Sequence, residues 1–207
     1  MPSRSPARTS PATSPATSPA TSPATSPATS PATPAPATGP SGQDPKASPA
    51  RVTLAVGDPA PAFDLPGDDG LRHTLAALKD RRFVLYFYPR DSTPGCTTEA
   101  CDFRDRHAAL LAAGVQLFGV SGDDLKSHAK FRSKHALPFP LLSDQGHELA
   151  RAFGVFGEKT LYGRVSQGII RSTFLVGPNG RIEAAWSPVK VNGHAEAVLQ
   201  AVLGAGA

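Results

Sequence analysis

Only two cysteines occur in this 207-residue chain. They stand in the run Tyr88-Pro89-Arg90-Asp91-Ser92-Thr93-Pro94-Gly95-Cys96-Thr97-Thr98-Glu99-Ala100-Cys101. Thr93 suits a helix N-cap and Pro94 the first helical position, so Cys96 falls in the first turn of a predicted helix. There the positive end of the helix dipole favours a thiolate over a thiol, and a thiolate is the form that attacks. A second thiol five residues on is a ready partner for whatever the first becomes. The layout suits redox chemistry.

Other uses of two thiols fit less well. A metal site needs about four ligands, and no histidine pair at ligand spacing accompanies the sulfurs. The six histidines, His73, His107, His128, His135, His147 and His194, form no tight cluster and read as surface or packing residues. A resting disulfide conflicts with a helix, in which residues five apart have Cα atoms roughly 8–9 Å apart, against the ~7 Å that a bridge tolerates. Two inert, buried thiols remain an alternative, because free cysteine packs well. As a nucleophile and its partner, Cys96 would attack the O–O bond of a peroxide and become a sulfenic acid. Cys101 would then expel water and form a disulfide. The first helical turns would have to unwind for the sulfurs to meet.

The elements that must position these groups can be read along the chain. Phe83 to Tyr88 is a continuous apolar and aromatic run, the mark of a strand buried on both faces. The helix carrying the cysteines runs from about Pro94 to Ala113, with Ala100, Phe103, His107, Leu110 and Leu111 at helical spacing and Gly114 closing it. Val115 to Val120 is the next strand, and a helix from Asp123 to His135 stops before Leu137-Pro138-Phe139-Pro140. Leu141-Leu142 is a short strand, and Glu148 to Phe153 a short helix. Ile169 to Val176 and Arg181 to Trp186 form a hairpin about Pro178-Asn179-Gly180. A last helix opens at Asn192 or Gly193, with Ala195, Val198, Leu199, Val202 and Leu203 on one face. Upstream, Arg51 to Val56 and Phe63 to Leu65 are short candidate strands, Gly67-Asp68-Asp69-Gly70 is a turn, and Thr74 caps a short helix from Leu75 to Leu78. This order predicts an α/β domain over residues 51–207, a mixed central sheet flanked by helices with parallel pairing in its first half.

Composition sets the first 50 residues apart. Six copies of Thr-Ser-Pro-Ala run from Thr9 to Ala32, and no Leu, Ile, Val or aromatic residue precedes Val52. Such a segment has no apolar surface to offset the entropy of ordering, so a disordered, solvated tail is expected over residues 1–50. Its Ser-Pro and Thr-Pro pairs are also the kind that modifying enzymes and proline readers recognise. Arg4, Arg8 and Lys46 against Asp44 give the tail half of the formal +4 charge. No basic stripe is left in the domain, which argues against nucleic-acid binding. No run is apolar and long enough to span a membrane. The N-terminus lacks the apolar core of a secretory signal; it is Ser-rich and acid-poor like a transit peptide, which stays open as an alternative although the repeat lacks the amphipathic pattern. The expected setting is therefore cytoplasmic, where a lone close pair of thiols is more often catalytic than structural.

Pro89, Thr93 and Cys96 stand in the Pro-x-x-x-Thr-x-x-Cys pattern of peroxiredoxins. With Cys101 and Phe103-Arg104-Asp105 added, the chain closely resembles the peroxiredoxin Q branch, also called bacterioferritin comigratory protein. Supporting segments are Gly57-Asp58-Pro59-Ala60-Pro61, Leu137 to Asp144, Gly154 to Lys159 and Arg171 to Leu175. The resemblance covers about residues 51 to 205. It implies a thioredoxin-like fold and thiol-dependent reduction of hydrogen peroxide and organic hydroperoxides, with no metal, haem, flavin or other cofactor. It makes Cys96 the peroxidatic cysteine and Cys101 the resolving one, joined as a Cys96–Cys101 disulfide during turnover. Thr93 would hydrogen-bond the peroxide, Pro89 would shield the sulfur, and Arg171 would stabilise the thiolate. The backbone N–H groups of Gly95 and Cys96 would add donors, and Glu99 would buttress the arginine. Thioredoxin or a similar dithiol protein is the implied reductant, and a monomer the implied state. Phe156 departs from a tryptophan common in relatives, and Gly177 from an acidic residue. The competing functions are a thiol–disulfide oxidoreductase that never touches peroxide, for which Cys-x-x-Cys spacing is missing, and an idle thioredoxin-like interaction module on a Pro-rich tether.

Overall fold

The computed structural model describes residues 54–161 and 164–204. The expected tail lies outside them, as do the first three residues of the expected Arg51–Val56 strand. The described part of that strand, Leu54 to Val56, is not extended into a sheet.

The sheet is built around one strand. β3 (Arg82–Phe87) is central in a five-stranded sheet of order β5-β4-β3-β8-β9. It runs parallel to β4 (Val115–Ser121), which runs parallel to β5 (Leu141–Ser143). On its other side β3 pairs antiparallel with β8 (Ser172–Val176), and β8 with β9 (Ile182–Trp186). The Phe83–Tyr88 run is apolar throughout because both faces of this strand are covered. Its side chains alternate between two cores. Val84, Tyr86 and Tyr88 join a cluster with Phe103, Leu110, Leu175 and Val198. Phe83, Leu85 and Phe87 join another with Phe118, Leu149, Phe153 and Phe174.

The first core is roofed by α1 (Pro94–Ala112) and α4 (His194–Gly204), and α2 (Leu125–His135) also contributes to it. α1 buries Ala100, Phe103 and Leu110. Leu111 and Leu203, expected on buried faces, are instead about half exposed, each one step past the packed stripe of its helix. Asp124 caps α2 by accepting from Ser127 N, and the helix ends at Ala136 in left-handed conformation. The second core is closed by α3 (Glu148–Ala152) and a 3-10 turn at Ala76–Leu78, where Thr74 Oγ1 accepts from Ala77 N.

The expected strand at Phe63–Leu65 is found one residue later as β1 (Asp64–Pro66), and the Gly67–Gly70 turn is where expected; its antiparallel partner, β2 (Arg72–Thr74), escaped the sequence reading. So did the hairpin of β6 (Phe156–Leu161) with β7 (Arg164–Ile169). The β6–β7 segments are rich in polar residues and glycine and so give no clear apolar alternation. The expected strand from Ile169 to Val176 is therefore two pieces. Ile169 belongs to the β6–β7 hairpin, Ile170 N bonds to Val155 O, and the main sheet resumes at Ser172. Arg171 occupies the switch between the two sheets. At Gly177 a Cβ would lie 2.4 Å from Glu183 Oε1, so an acidic residue there would have to displace a carboxylate of like charge that pairs with Arg82. Phe156, in place of tryptophan, stacks on His147 with centroids 4.7 Å apart and lies under the Arg151 guanidinium.

Candidate active site

β3 ends at Phe87, and a short loop carries the chain through Pro89 and Thr93 into α1. Thr93 is the N-cap by backbone geometry and Pro94 opens the helix, as the sequence predicts. The cap is not made by the threonine side chain. Thr93 Oγ1 donates to Arg90 O at 3.1 Å, and Thr93 O accepts from Thr97 N at 2.9 Å to start the helix. Cys96 follows in the first turn, its side chain turned into the core beneath the helix end and almost wholly buried. Cys101 lies in the same helix, half-buried, and both thiols are free.

The pairing of β3 with β8 sets Phe87 opposite Ser172. The end of β3, which launches the catalytic loop, thus lies beside the start of β8, which Arg171 immediately precedes. Arg171 Nη2 donates to Cys96 Sγ at 3.2 Å. Its Nη1 donates to Glu99 Oε2, one turn further along α1. A guanidinium held on one side by a carboxylate presents its other N–H to the sulfur in fixed orientation, and a charge-assisted bond of this kind favours an anionic acceptor. Burial works against the Arg171 cation, but Glu99 and the sulfur outweigh it, and its pKa is raised.

Glu99 is the strained member. It is 1 % exposed, and its Oε1 has no hydrogen-bond partner among the described residues. Burial pushes its carboxyl up to about 7, against the opposing pull of Arg171. Gly95 is exposed at the helix mouth, where a Cβ would stand in ordinary contact with Arg171 Nη2 at 3.5 Å. Behind the arginine, His194 is buried with Nε2 2.8 Å from Thr173 Oγ1. Burial first, and then the Arg171 charge, depress His194 to about 4.

The structure therefore brings Cys96, Glu99 and Arg171 into direct contact, with Gly95 alongside, and sets Pro89 and Thr93 in the loop that feeds the helix. Cys101 lies outside this contact set. Sequence reasoning missed a second polar cluster behind the loop, formed by Tyr88, Asp91, Asp123, Ser127 and His128. Asp91 and His128 are 37 residues apart, and no local pattern announces the pair. Among the described residues no three His, Cys, Asp or Glu side chains are grouped to hold a metal ion, and no helix is long and apolar enough to cross a membrane.

Residues 56–185 match the family model of the AhpC/TSA family. Peroxiredoxin Bcp of Bacillus subtilis is 47% identical over 149 residues, 72% of this chain and 95% of that protein. Peroxiredoxin Bcp of Xanthomonas campestris is 49% identical over 146 residues, 70% of this chain and 91% of that protein. Among solved structures, the bacterioferritin comigratory protein of Xanthomonas campestris, studied for alkyl peroxide reduction, superposes with a TM-score of 0.67 at 46% identity, covering 70% of this chain and 92% of that one. A peroxiredoxin Q from Xylella fastidiosa gives a TM-score of 0.71 at 39% identity, covering 75% and 99%. With its sheet, its buried thiol and the guanidinium set against it, the chain belongs to the AhpC/TSA family and, within it, to the peroxiredoxins of the Bcp or Q branch.

Proposed function

We propose that the protein is a thiol peroxidase of the atypical two-cysteine type, reducing hydrogen peroxide and organic hydroperoxides and recycled by thioredoxin. The observation that carries this reading is the 3.2 Å bond from Arg171 Nη2 to Cys96 Sγ in the first turn of α1. The Cys96 thiolate attacks the terminal oxygen of ROOH. The O–O bond breaks, RO⁻ leaves and takes a proton as ROH, and Cys96 becomes a sulfenic acid. Arg171 and the backbone N–H groups at Gly95 and Cys96 balance the charge that moves onto oxygen. Thr93 hydrogen-bonds the peroxide, and Pro89 keeps water from the sulfur. Glu99 fixes the orientation of Arg171.

The Cys101 thiolate then attacks the sulfenic sulfur, hydroxide leaves as water, and a Cys96–Cys101 disulfide forms. Both residues are helical, with Cα atoms roughly 8–9 Å apart in a regular helix, so the first turns of α1 open at this step. A dithiol protein cleaves the disulfide through a mixed disulfide and returns both thiols. One chain holds both sulfurs, so the cycle suits a monomer. The need for a dithiol reductant suits the cytoplasm.

Peroxide consumption with thioredoxin and its reductase tests the assignment. Wild type should turn over and Cys96→Ser should not. Cys101→Ser should be oxidised once and recycle poorly. A Cys96→Ser protein with full activity refutes the peroxidatic assignment. Undiminished cycling of Cys101→Ser refutes the resolving role.

A further inference from the structure

The loop between β3 and α1 is not held by local preference. Ser92, between Asp91 and Thr93, has φ of 58°, a left-handed conformation that a non-glycine residue keeps only where its surroundings impose it. Ser92 itself is exposed, and it is the preceding residue, Asp91, that is held in a buried polar cluster. Asp91 Oδ1 accepts from Tyr88 Oη at 2.7 Å, and Oδ2 accepts from Ser127 Oγ at 2.8 Å. His128 Nδ1 lies 2.9 Å from the same Oδ2. The backbone of Asp91 donates to Asp123 Oδ2 at 2.9 Å, and that carboxylate also accepts from Ser121 Oγ at 2.7 Å, at the end of β4. His128 is fully buried on α2, and Asp91 nearly so. Burial opposes charge on Asp91, yet the donors of His128, Tyr88 and Ser127 prevail and hold its carboxyl below the usual range. This couple touches neither Cys96 nor Arg171 and takes no part in the chemistry proposed above.

We propose that Asp91 and His128 are positioning residues for the peroxide step, pinning the Pro89–Thr93 loop to α2 so that Pro89 and Thr93 are fixed over the start of α1. The inference rests on the reading of Cys96 as the peroxidatic thiol. Cys96 is placed by α1 and Arg171 by the residues leading into β8, whereas Pro89 lies in the loop and Thr93 is tied to α1 only through its carbonyl, which accepts from Thr97 N. Loosening the loop therefore misplaces the groups that receive the peroxide, while burial and the bond from Arg171 still hold the sulfur in the folded helix. It also frees the N-terminal anchor of α1, which is the part of the helix that must open to form the disulfide. The two half-reactions should respond in opposite senses.

The test is rapid mixing of the reduced full-length protein with hydrogen peroxide. Sulfenic acid is trapped with dimedone in a Cys101→Ser background, and disulfide formation is followed in the two-cysteine protein. Asp91→Ala and His128→Phe should slow Cys96 oxidation by about ten- to a hundredfold, the scale of loss from a misplaced catalytic group. Disulfide formation from the sulfenic acid should be as fast as in wild type or faster. His128→Asn places an amide donor close to the position of Nδ1 and should recover most of the oxidation rate. If a variant does not fold, Tyr88→Phe removes a single donor to Asp91 and should slow oxidation several-fold. Wild-type oxidation rates in the folded variants overturn the proposal. So does an equal slowing of both steps, or a His128→Asn protein as slow as His128→Phe. If wild type itself leaves peroxide untouched, the reading of Cys96 falls, and the positioning role falls with it.

Discussion

Replacing Glu99 with glutamine should make the protein more stable at pH 8, although it removes the carboxylate that pairs with Arg171. Burial holds the Glu99 carboxyl at about 7, against an ordinary value of 4.5. Between those two values the folded protein keeps a proton that the unfolded chain has already released. Stability must therefore fall as pH rises through this window. The gap of roughly 2.5 pH units, at about 1.4 kcal/mol per unit, amounts to about 3 kcal/mol. About 2.5 kcal/mol of it is lost between pH 5 and pH 8. Glutamine resembles the protonated acid: its Oε1 still accepts from Arg171, and it has no proton to lose. The two proteins should be nearly equal at pH 5 and diverge above it. For a domain of this size that is a shift of about 5–10 °C in midpoint at pH 8. The comparison belongs in a Cys96→Ser, Cys101→Ser background, so that oxidation of the thiols does not enter it. Urea unfolding from pH 5 to pH 8 reads the result. Parallel stability curves for the two proteins would show that Glu99 is ionised throughout, and the account of its burial would be wrong.

His194 gives the complementary acid limb. Its folded pKa of about 4 lies below the ordinary 6.5, so its contribution is complete above pH 6.5 and is lost as pH falls toward 4. His194→Gln should flatten stability between pH 4.5 and 6.5, and a wild-type slope retained in the variant counts against this. Gly119 on β4 has no room for a side chain, since a Cβ would lie 2.7 Å from both Tyr86 Oη and Leu141 Cδ2. Gly119→Ala should cost about 1–3 kcal/mol, measured by urea denaturation. Finally, amides in the first turns of α1 should exchange faster in the disulfide form than in the dithiol form. Equal protection in the two forms would exclude opening of the helix.

The parts of this molecule legible in the sequence are those whose signal is local. The Phe83–Tyr88 run announced a strand covered on both faces, and Thr93-Pro94 announced the start of α1 within a residue. Leu111 and Leu203 were misjudged because helical spacing defines a stripe but not where packing along it stops. The β6–β7 hairpin was missed because its polar, glycine-containing strands form a separate small sheet rather than line a core. That omission also hid why Arg171 is where it is. Composition does not distinguish it among 21 basic residues, and only the resemblance singled it out. The Asp91–His128 couple was invisible for the same reason: the partners meet through tertiary packing, and neither sits in a pattern of its own.

One strand alignment joins the two halves of the site. Sulfur and guanidinium are separated by 75 residues of chain, yet their distance depends on a single antiparallel ladder that sets Phe87 against Ser172. A slip of two residues along that ladder, which would keep every side chain on its proper face, would carry the cation about 7 Å away. The apolar residues that lock β3 to β8 are thus as much a requirement for reactivity as the thiol itself, although none of them meets a substrate.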